Sequence, residues 1–509
     1  MLISEWRDLL YRLIKKQYSA NAIGDLFDVS RTTHEKIVLY LANVIIEEGL
    51  ADLQNDPSSE NDAAMVSNGT LAAAAVNAVA FVLTFAKYTL LYFFYRCAFR
   101  GRRRTGVRSG KSDFIFINSA GGVDRLVGIV EEFVARDAYR MVYVMTSHIG
   151  KLIKRHRMRN PLEFIEPQIP GIGALRGGLA LLFKRGRGFC MQIYQQLQYR
   201  SRPKRLRIVL KIMNYLYAMV IYHHWAIESA NRLLAVHNTA VFVFDIDEAS
   251  KELMLADALN RKDAPTLLLQ HGILTDAKRY IPTCRWMACA SERERRALMS
   301  VGVEKNRLFV VGQSLQTLND SVLIGVKNPP RYPLLFLAGN GPAWLQEYYV
   351  NMLKQSKCLV RLPNAYVRLH PAFRRKAKRV WTGIEGLKQA DPEESLGQCL
   401  EKSGLVITFS IDALIASVRQ LRPTVCCVPE DYFVPEWHDF LYDLPGVKVA
   451  RNAAMLDGFL VDRDKEFITL RTLSHDESSK LDYAFGSPDT VKTLEALLKK
   501  LLEGRAGAT

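Results

Sequence analysis

Acid is in short supply in this 509-residue chain: 52 Asp and Glu face 69 Lys and Arg, leaving a net charge of +17. That deficit favours a polyanionic partner such as nucleic acid, anionic lipid or a phosphorylated substrate. Cysteine is sparse too. The eight thiols, among them Cys97, Cys190, Cys284, Cys289 and the adjacent Cys426 and Cys427, form no paired CxxC unit, so no structural zinc and no other metal is expected. Several lie in apolar runs, where Cys acts as a small hydrophobe, which fits a reducing environment better than a disulfide framework. The first ten residues, MLISEWRDLL, carry charges where a signal peptide needs an uninterrupted apolar stretch. There is no repeat of 20 to 50 residues, against a solenoid or propeller.

What is present suits a large folded protein. Hydrophobic residues make up 49% and charged residues 24%, leaving little room for long disordered tracts. The length allows about three domains at roughly 150 residues each. Residues 1–50 read as a helical hairpin region, in which SANAIGDLFDVSRTTHEKIVLYLA also has the spacing of a DNA-binding helix-turn-helix. Residues 51–109 form a polar linker and then the most apolar segment, Leu71 to Tyr95, ending in RCAFRGRRR. A segment of about 25 residues is long enough to cross a ~30 Å hydrocarbon core, and the arginines suit anionic headgroups. Asn77 and Lys87 disfavour a full span, so an interfacial helix and a buried or oligomerisation helix stay open beside it.

From Lys111 short apolar runs alternate with helical stretches, the pattern of βαβ units on parallel sheets. Strands are expected at Phe114–Asn118, Met141–Met145, Val241–Phe244 and Thr266–Leu269, and a second series at Leu334–Leu337, Ala365–Leu369, Leu405–Phe409 and Thr424–Val428. From roughly Lys151 to Ala235 runs a basic helical region containing KLIKRHRMR and YRSRPKRLR, either a solvated face or a membrane surface. This gives an α/β chain with two Rossmann-like domains, at 110–315 and 316–480, closed by a helix and tail at 481–509.

The chemistry gathers at strand ends. AVFVFDIDEAS delivers Asp245 and Asp247 from one strand and TLLLQHG delivers Gln270 and His271 from the next. In open parallel sheets ligands sit at those carboxyl ends, and an Asp with a His there can act as a base or bind a sugar. Helix capping by Asp247 and loop bonding by His271 explain the same residues without function. YVRLHP places Arg368 and His370 at another strand end, where a cation or imidazolium would stabilise the phosphate of a departing nucleotide. TFSIDA puts Thr408 and Ser410 at a strand-to-helix turn, and a helix N-terminus receives phosphate. Asp412 in that turn would repel it. Gly121 and Gly122, and Gly339 and Gly341, follow the first strand of each series; they allow close backbone approach or simply serve the turns. No GKS or GKT follows either loop, and no DxD motif is evident.

The QHG stretch, the RY-P turn after it, CRWMACASERERRALMSVGVEKNRLFVVGQ, the HP pair and the serine turn together resemble glycosyltransferases of GT-B architecture that build bacterial capsules and lipopolysaccharides, including sialyl- and Kdo-transferases. The likeness runs from Phe114 to Pro429 and implies that 110–315 is the acceptor domain and 316–480 the donor domain. It implies a strand, helix and strand within the CRWMACAS stretch, the last ending at Val311 and Gly312. It also implies donor contacts from Arg368, His370, Ser410, Thr408, Gly339 and Gly341, and acceptor contacts from Gly121, Gly122 and Gln270. Catalysis would fall to Asp247, His271 and Asp245. The expected reaction is sugar transfer from a nucleotide-activated donor, with CMP-linked acidic sugars favoured, to a surface polysaccharide or glycolipid. The donor is a substrate and no cofactor is expected. Partners would be that nucleotide sugar, the acceptor and an anionic membrane surface on the cytoplasmic side of the inner membrane, with no nucleic acid. Alternatives are a nucleotide-sugar epimerase, whose soluble substrate fits the apolar segment less well, a glycerol-phosphate transferase, and a DNA-binding or non-catalytic membrane protein.

Overall fold

A computed structural model describes residues 29–53, 113–118, 141–145, 202–245, 250–270, 281–312, 331–338, 343–356, 365–369, 386–409, 411–420, 422–428, 446–461 and 490–506, with isolated positions between 11 and 19, between 180 and 195, and at 381, 384, 444 and 479. The apolar segment 71–95, its arginine cluster and KLIKRHRMR lie outside them. Among the described residues no helix is long and apolar enough to cross a membrane.

The chain builds two six-stranded sheets in which every pairing is parallel. Helix α1 (Arg31–Leu53) precedes the first sheet. That sheet contains β1 (Phe114–Asn118), β2 (Met141–Met145), β3 (Val241–Phe244), β4 (Thr266–Leu269), β5 (Trp286–Cys289) and β6 (Leu308–Val310). Its helices are α2 (Arg202–Val236) before β3, α3 (Ser250–Asn260) before β4 and α4 (Glu292–Ser300) before β6. The strands run in the order β2-β1-β3-β4-β5-β6.

The second sheet contains β7 (Tyr332–Ala338), β8 (Ala365–Leu369), β9 (Leu387–Gln389), β10 (Ser403–Thr408), β11 (Thr424–Cys427) and β12 (Val447–Ala450). They run in the order β12-β11-β10-β7-β8-β9. Its helices are α5 (Ala343–Gln355), α6 (Leu396–Glu401), α7 (Ile411–Arg419) and α8 (Ala453–Val461), and α9 (Thr490–Ala506) closes the chain. The four expected strands of the first series and Ala365–Leu369 have the bounds read from sequence; β7 and β10 begin two residues earlier. β9 (LKQ) and β12 (VKVA) were not expected from sequence, because a lysine interrupts each short run.

Alternation decides which face each residue joins. In the first sheet Ile115, Ile117, Phe242, Phe244, Leu268, Met287 and Cys289 share one buried cluster with α1, α2 and α3. A buried Phe or Ile contributes about 1.5–3 kcal/mol. In the second sheet Phe336, Val367, Leu369, Ile407 and Val425 pack with α5 and α8, while Leu335, Leu337 and Val406 pack with α6 and α7.

Local signals fix the helix ends. Ser291 Oγ accepts the Glu294 amide at the start of α4. The same helix stops at Gly302, whose φ of 96° places it in the left-handed region, with Gly302 N–H on Met299 O and Val303 N–H on Leu298 O, the bond pattern of a glycine-terminated helix. Ser395 and Gln398 cap α6 reciprocally. At the N-terminus, Asp257 on α3 accepts from the Ser30 amide at 2.9 Å and the Thr33 hydroxyl at 2.8 Å. The serine and threonines that suggested a helix-turn-helix thus open α1 and dock it on the first sheet's helices.

Candidate functional site

Strand order locates the crevices. In the first sheet the chain passes from β1 to β2 on one side, then returns to the other side of β1 as β3 and continues to β6. The order reverses between β1 and β3, and open α/β sheets take ligands outside the strand ends at such a reversal. Ile117 pairs with Phe244 there, and Asp245 donates its amide to Ile117 O. Gly121 and Gly122 follow β1 in the chain; Asp245 and Asp247 follow β3. The second sheet repeats the logic. β8 and β9 lie on one side of β7 and β10 to β12 on the other, so the reversal falls between β7 and β10. Gly339 and Gly341 follow β7; Thr408 ends β10, and Ser410 directly precedes α7.

Of the expected site residues, Asp245, Gln270, Arg368 and Thr408 are described; Asp247, His271, His370, Ser410, Gly121, Gly122, Gly339 and Gly341 lie outside the described residues. Asp245 is buried at the end of β3. Thr408 is fully buried in the sheet centre, in register with Leu337 and Cys426.

Gln270 is spent on structure in this arrangement. Its Oε1 accepts the Ala290 amide at 2.9 Å and its Nε2 donates to Glu294 Oε2 at 2.6 Å. It ties the end of β4 to the turn between β5 and α4. Glu294, only 1% exposed, is a carboxylate at the strand ends that the sequence reading missed. Its spacing from Ser291 matches a capping box, which hides the partnership with Gln270.

Arg368 lies on the α6 face of β8. Its guanidinium donates to Cys399 Sγ at 3.2 Å and Asp391 O at 3.5 Å. Cys399 in turn touches Glu394, which accepts from Arg331 Nη1 and Lys402 Nζ, both at 2.7 Å, and from Tyr332 OH at 2.8 Å. Burial pushes the Glu394 carboxyl up, but the bonds from Lys402, Tyr332 and Cys399 outweigh it and hold the group below the usual range. Burial, followed by the bond to Glu394, pushes the Tyr332 phenol up.

The turn before α7 is anchored by an aromatic cluster that sequence reasoning also passed over. Phe409 donates its amide to Leu337 O, and its ring lies 4.2 Å from Tyr349 and 5.7 Å from Trp381. Trp381 Nε1 donates to Gln346 on α5. This pins the residue before Ser410 between β10 and α5, so the chain enters α7 from a fixed point. A spaced Tyr, Trp and Phe pattern was the available signal. Among the described residues no group of three His, Cys, Asp or Glu is placed to hold a metal.

No protein-family model and no curated protein matches the chain. Solved structures of similar shape include the UDP-GlcNAc 2-epimerase of Methanocaldococcus jannaschii, at 11% identity and a TM-score of 0.47, covering 76% of this chain and 99% of that one. The UDP-GlcNAc 2-epimerase of Neisseria meningitidis, bound to UDP-GlcNAc, has 10% identity, a TM-score of 0.45 and coverage of 77% and 100%. A glycosyltransferase of Rickettsia africae has 10% identity, a TM-score of 0.46 and coverage of 77% and 99%. The fold assignment rests on the two parallel sheets themselves.

Proposed function

We propose that the chain is a glycosyltransferase that moves a sugar from a nucleotide-activated donor, CMP-linked acidic sugars being favoured, to a surface polysaccharide or glycolipid. The observation that carries this reading is the coincidence of strand-order reversal with polar and glycine residues in both sheets. At one reversal Gly121 and Gly122 follow β1 in the chain and Asp245 and Asp247 follow β3; at the other Gly339 and Gly341 follow β7, Thr408 ends β10 and Ser410 comes two residues later. Packing needs no such coincidence.

In this reading Ser410 and the N-terminus of α7, with His370 after β8, receive the donor phosphate and stabilise the charge that develops as the nucleotide leaves. Asp247, with His271 one strand over, deprotonates the acceptor hydroxyl in an inverting reaction or attacks the anomeric carbon in a retaining one. Arg368, held by Cys399 and Asp391, supports the β8 end from behind. Work on the cytoplasmic face of the inner membrane fits the apolar segment 71–95 and its arginines.

Incubating the full-length protein with a panel of nucleotide sugars, with and without lipid-linked acceptor, tests the reading through nucleotide release. Release that depends on acceptor supports it. Interconversion of the donor sugar at carbon 2 with no acceptor would make the protein an epimerase. His370→Ala and Ser410→Ala should each weaken binding of free CMP or UDP in calorimetry while the melting temperature holds; unchanged affinity in both would remove the donor from the second sheet.

A further inference from the structure

The closing helix has no role in the nucleotide-sugar reading, yet it shapes a second concavity. α9 returns to the first sheet, touching β3 and running beside the edge strand β6. Its Leu494, Leu497 and Leu498 are buried, while Lys492, Lys499 and Lys500 face outward. Between α9, β6 and α4 lies a groove of about 700 Å³, within the roughly 300–1,000 Å³ range of small-molecule sites.

Its floor is apolar, formed by Leu308, Phe309, Val310 and Leu497, and its rim carries Arg295, Lys305 and Lys500. The one carboxylate there, Glu292, is already shared by Arg295 at 2.9 Å and Arg296 at 3.6 Å. Lys305 and Lys500 have no carboxylate partner among the described residues, and Lys500 Nζ is 5.9 Å from the Phe309 ring centroid. A long stem over an aromatic with its charge at the water boundary is how lysine meets an interface.

We propose that this groove binds an anionic phospholipid presented by a membrane, its phosphate held by Lys305 and Lys500 and the upper part of one acyl chain laid over Phe309 and Leu497. Charge complementarity selects this occupant: the floor wants hydrocarbon, the rim wants an anion, and the whole chain carries +17. β4 and β5 separate the groove from the β1/β3 reversal, so the site stands apart from the donor reading and fails or survives on its own.

The test uses full-length protein and a short-chain phosphatidylglycerol, kept monomeric, with a photoreactive acyl chain. Labels mapped by mass spectrometry should fall within 305–311 and 493–500. At about a fivefold effect per surface cation near a phosphate, K305Q/K500Q should cut labelling about 25-fold. The control K262Q/K354Q, which removes two exposed lysines elsewhere, should leave labelling unchanged. If the first double variant melts early, K305Q alone should still cut labelling about fivefold. Equal loss in the control, no loss in K305Q/K500Q, or equal labelling by a phosphatidylcholine analogue would overturn the proposal. So would inorganic phosphate competing as well as the lipid, which marks a bare anion site, or an acidic amphipathic peptide binding where the lipid does not, which marks a protein partner.

Discussion

Gln270→Ala separates the two roles open to that residue. As placed, the amide links three elements: its oxygen takes the Ala290 N–H at 2.9 Å and its nitrogen serves the buried Glu294 carboxylate at 2.6 Å. Truncation leaves an interior N–H without its acceptor, costing about 1–3 kcal/mol, and strips a donor from an ionised group, costing about 1.5–3 kcal/mol. Arg293, 3.8 Å from Glu294, keeps part of the charge compensated, so a loss of about 3–5 kcal/mol is expected rather than the upper sum. Urea unfolding of the full chain, followed by the midpoint at constant slope, reads this out. Gln270→Glu should be no better, since it sets two carboxylates side by side. In the swapped pair Q270E/E294Q, the carboxylate now at 270 accepts from both the Ala290 amide and the side-chain amide now at 294, which should recover much of the loss. A Q270A cost below about 1 kcal/mol, or a swap no more stable than Q270E alone, would refute the bridge. A stable Q270A with a raised Michaelis constant for the acceptor would return Gln270 to substrate binding.

Asp257→Asn and Thr33→Val should each cost about 1–3 kcal/mol and make the start of α1 more sensitive to limited proteolysis, because Asp257 bonds both the Ser30 amide and the Thr33 hydroxyl. Glu394 is held below its ordinary 4.5, so its stabilisation is complete above that pH and is lost as pH falls through the lower folded value. Glu394→Gln should therefore flatten the acid limb of a stability-versus-pH curve, and an unchanged limb would show that the network contributes nothing. Burial pushes the Cys426 thiol up to about 12 and Cys190, Cys289 and Cys427 upward as well. Brief iodoacetamide treatment of native protein at neutral pH should thus spare all four, with rapid native labelling of any of them counting against the packing. Asp247→Asn should lower turnover by a factor of roughly 100 or more with donor binding retained, and near-normal turnover would end its catalytic role.

Much of this architecture was legible because parallel strands are buried on both faces and read as short, unbroken Val, Ile, Leu and Phe runs. VFVF and TLLL gave their bounds to the residue for that reason. LKQ and VKVA did not: each places Lys among two or three other residues, and pairing with a neighbouring strand, invisible in local pattern, makes them strands. The site was legible as positions and much less so as partnerships. Sequence puts Gln270 and Arg368 at strand ends, but the direction of a side chain depends on what packs 20 to 30 residues away. Ala290 and Glu294 claim one; Asp391 and Cys399 claim the other. Phe409 was overlooked for the opposite reason, since an aromatic beside a hydroxyl reads as core until Tyr349 and Trp381 are seen to close around it.

Two helices at the ends of the chain limit how independently the two sheets can move. α1 is fastened to α3 through Asp257 and packs on α2, and it also touches α5, the first helix after β7. α9 follows the second sheet in sequence but packs on the first, with Lys500 over Phe309 and the buried Leu497 beside β6. The two sheets are therefore tied across by α1, and by α9 through its place in the chain. A rotation that opened the units would have to break or slide these contacts. α5 also carries Gln346 and Tyr349, which hold Trp381 and Phe409 at the entrance to α7. α1 thus touches the same helix that carries Gln346 and Tyr349, so displacing α1 would be felt at Trp381 and Phe409, before the entrance to α7.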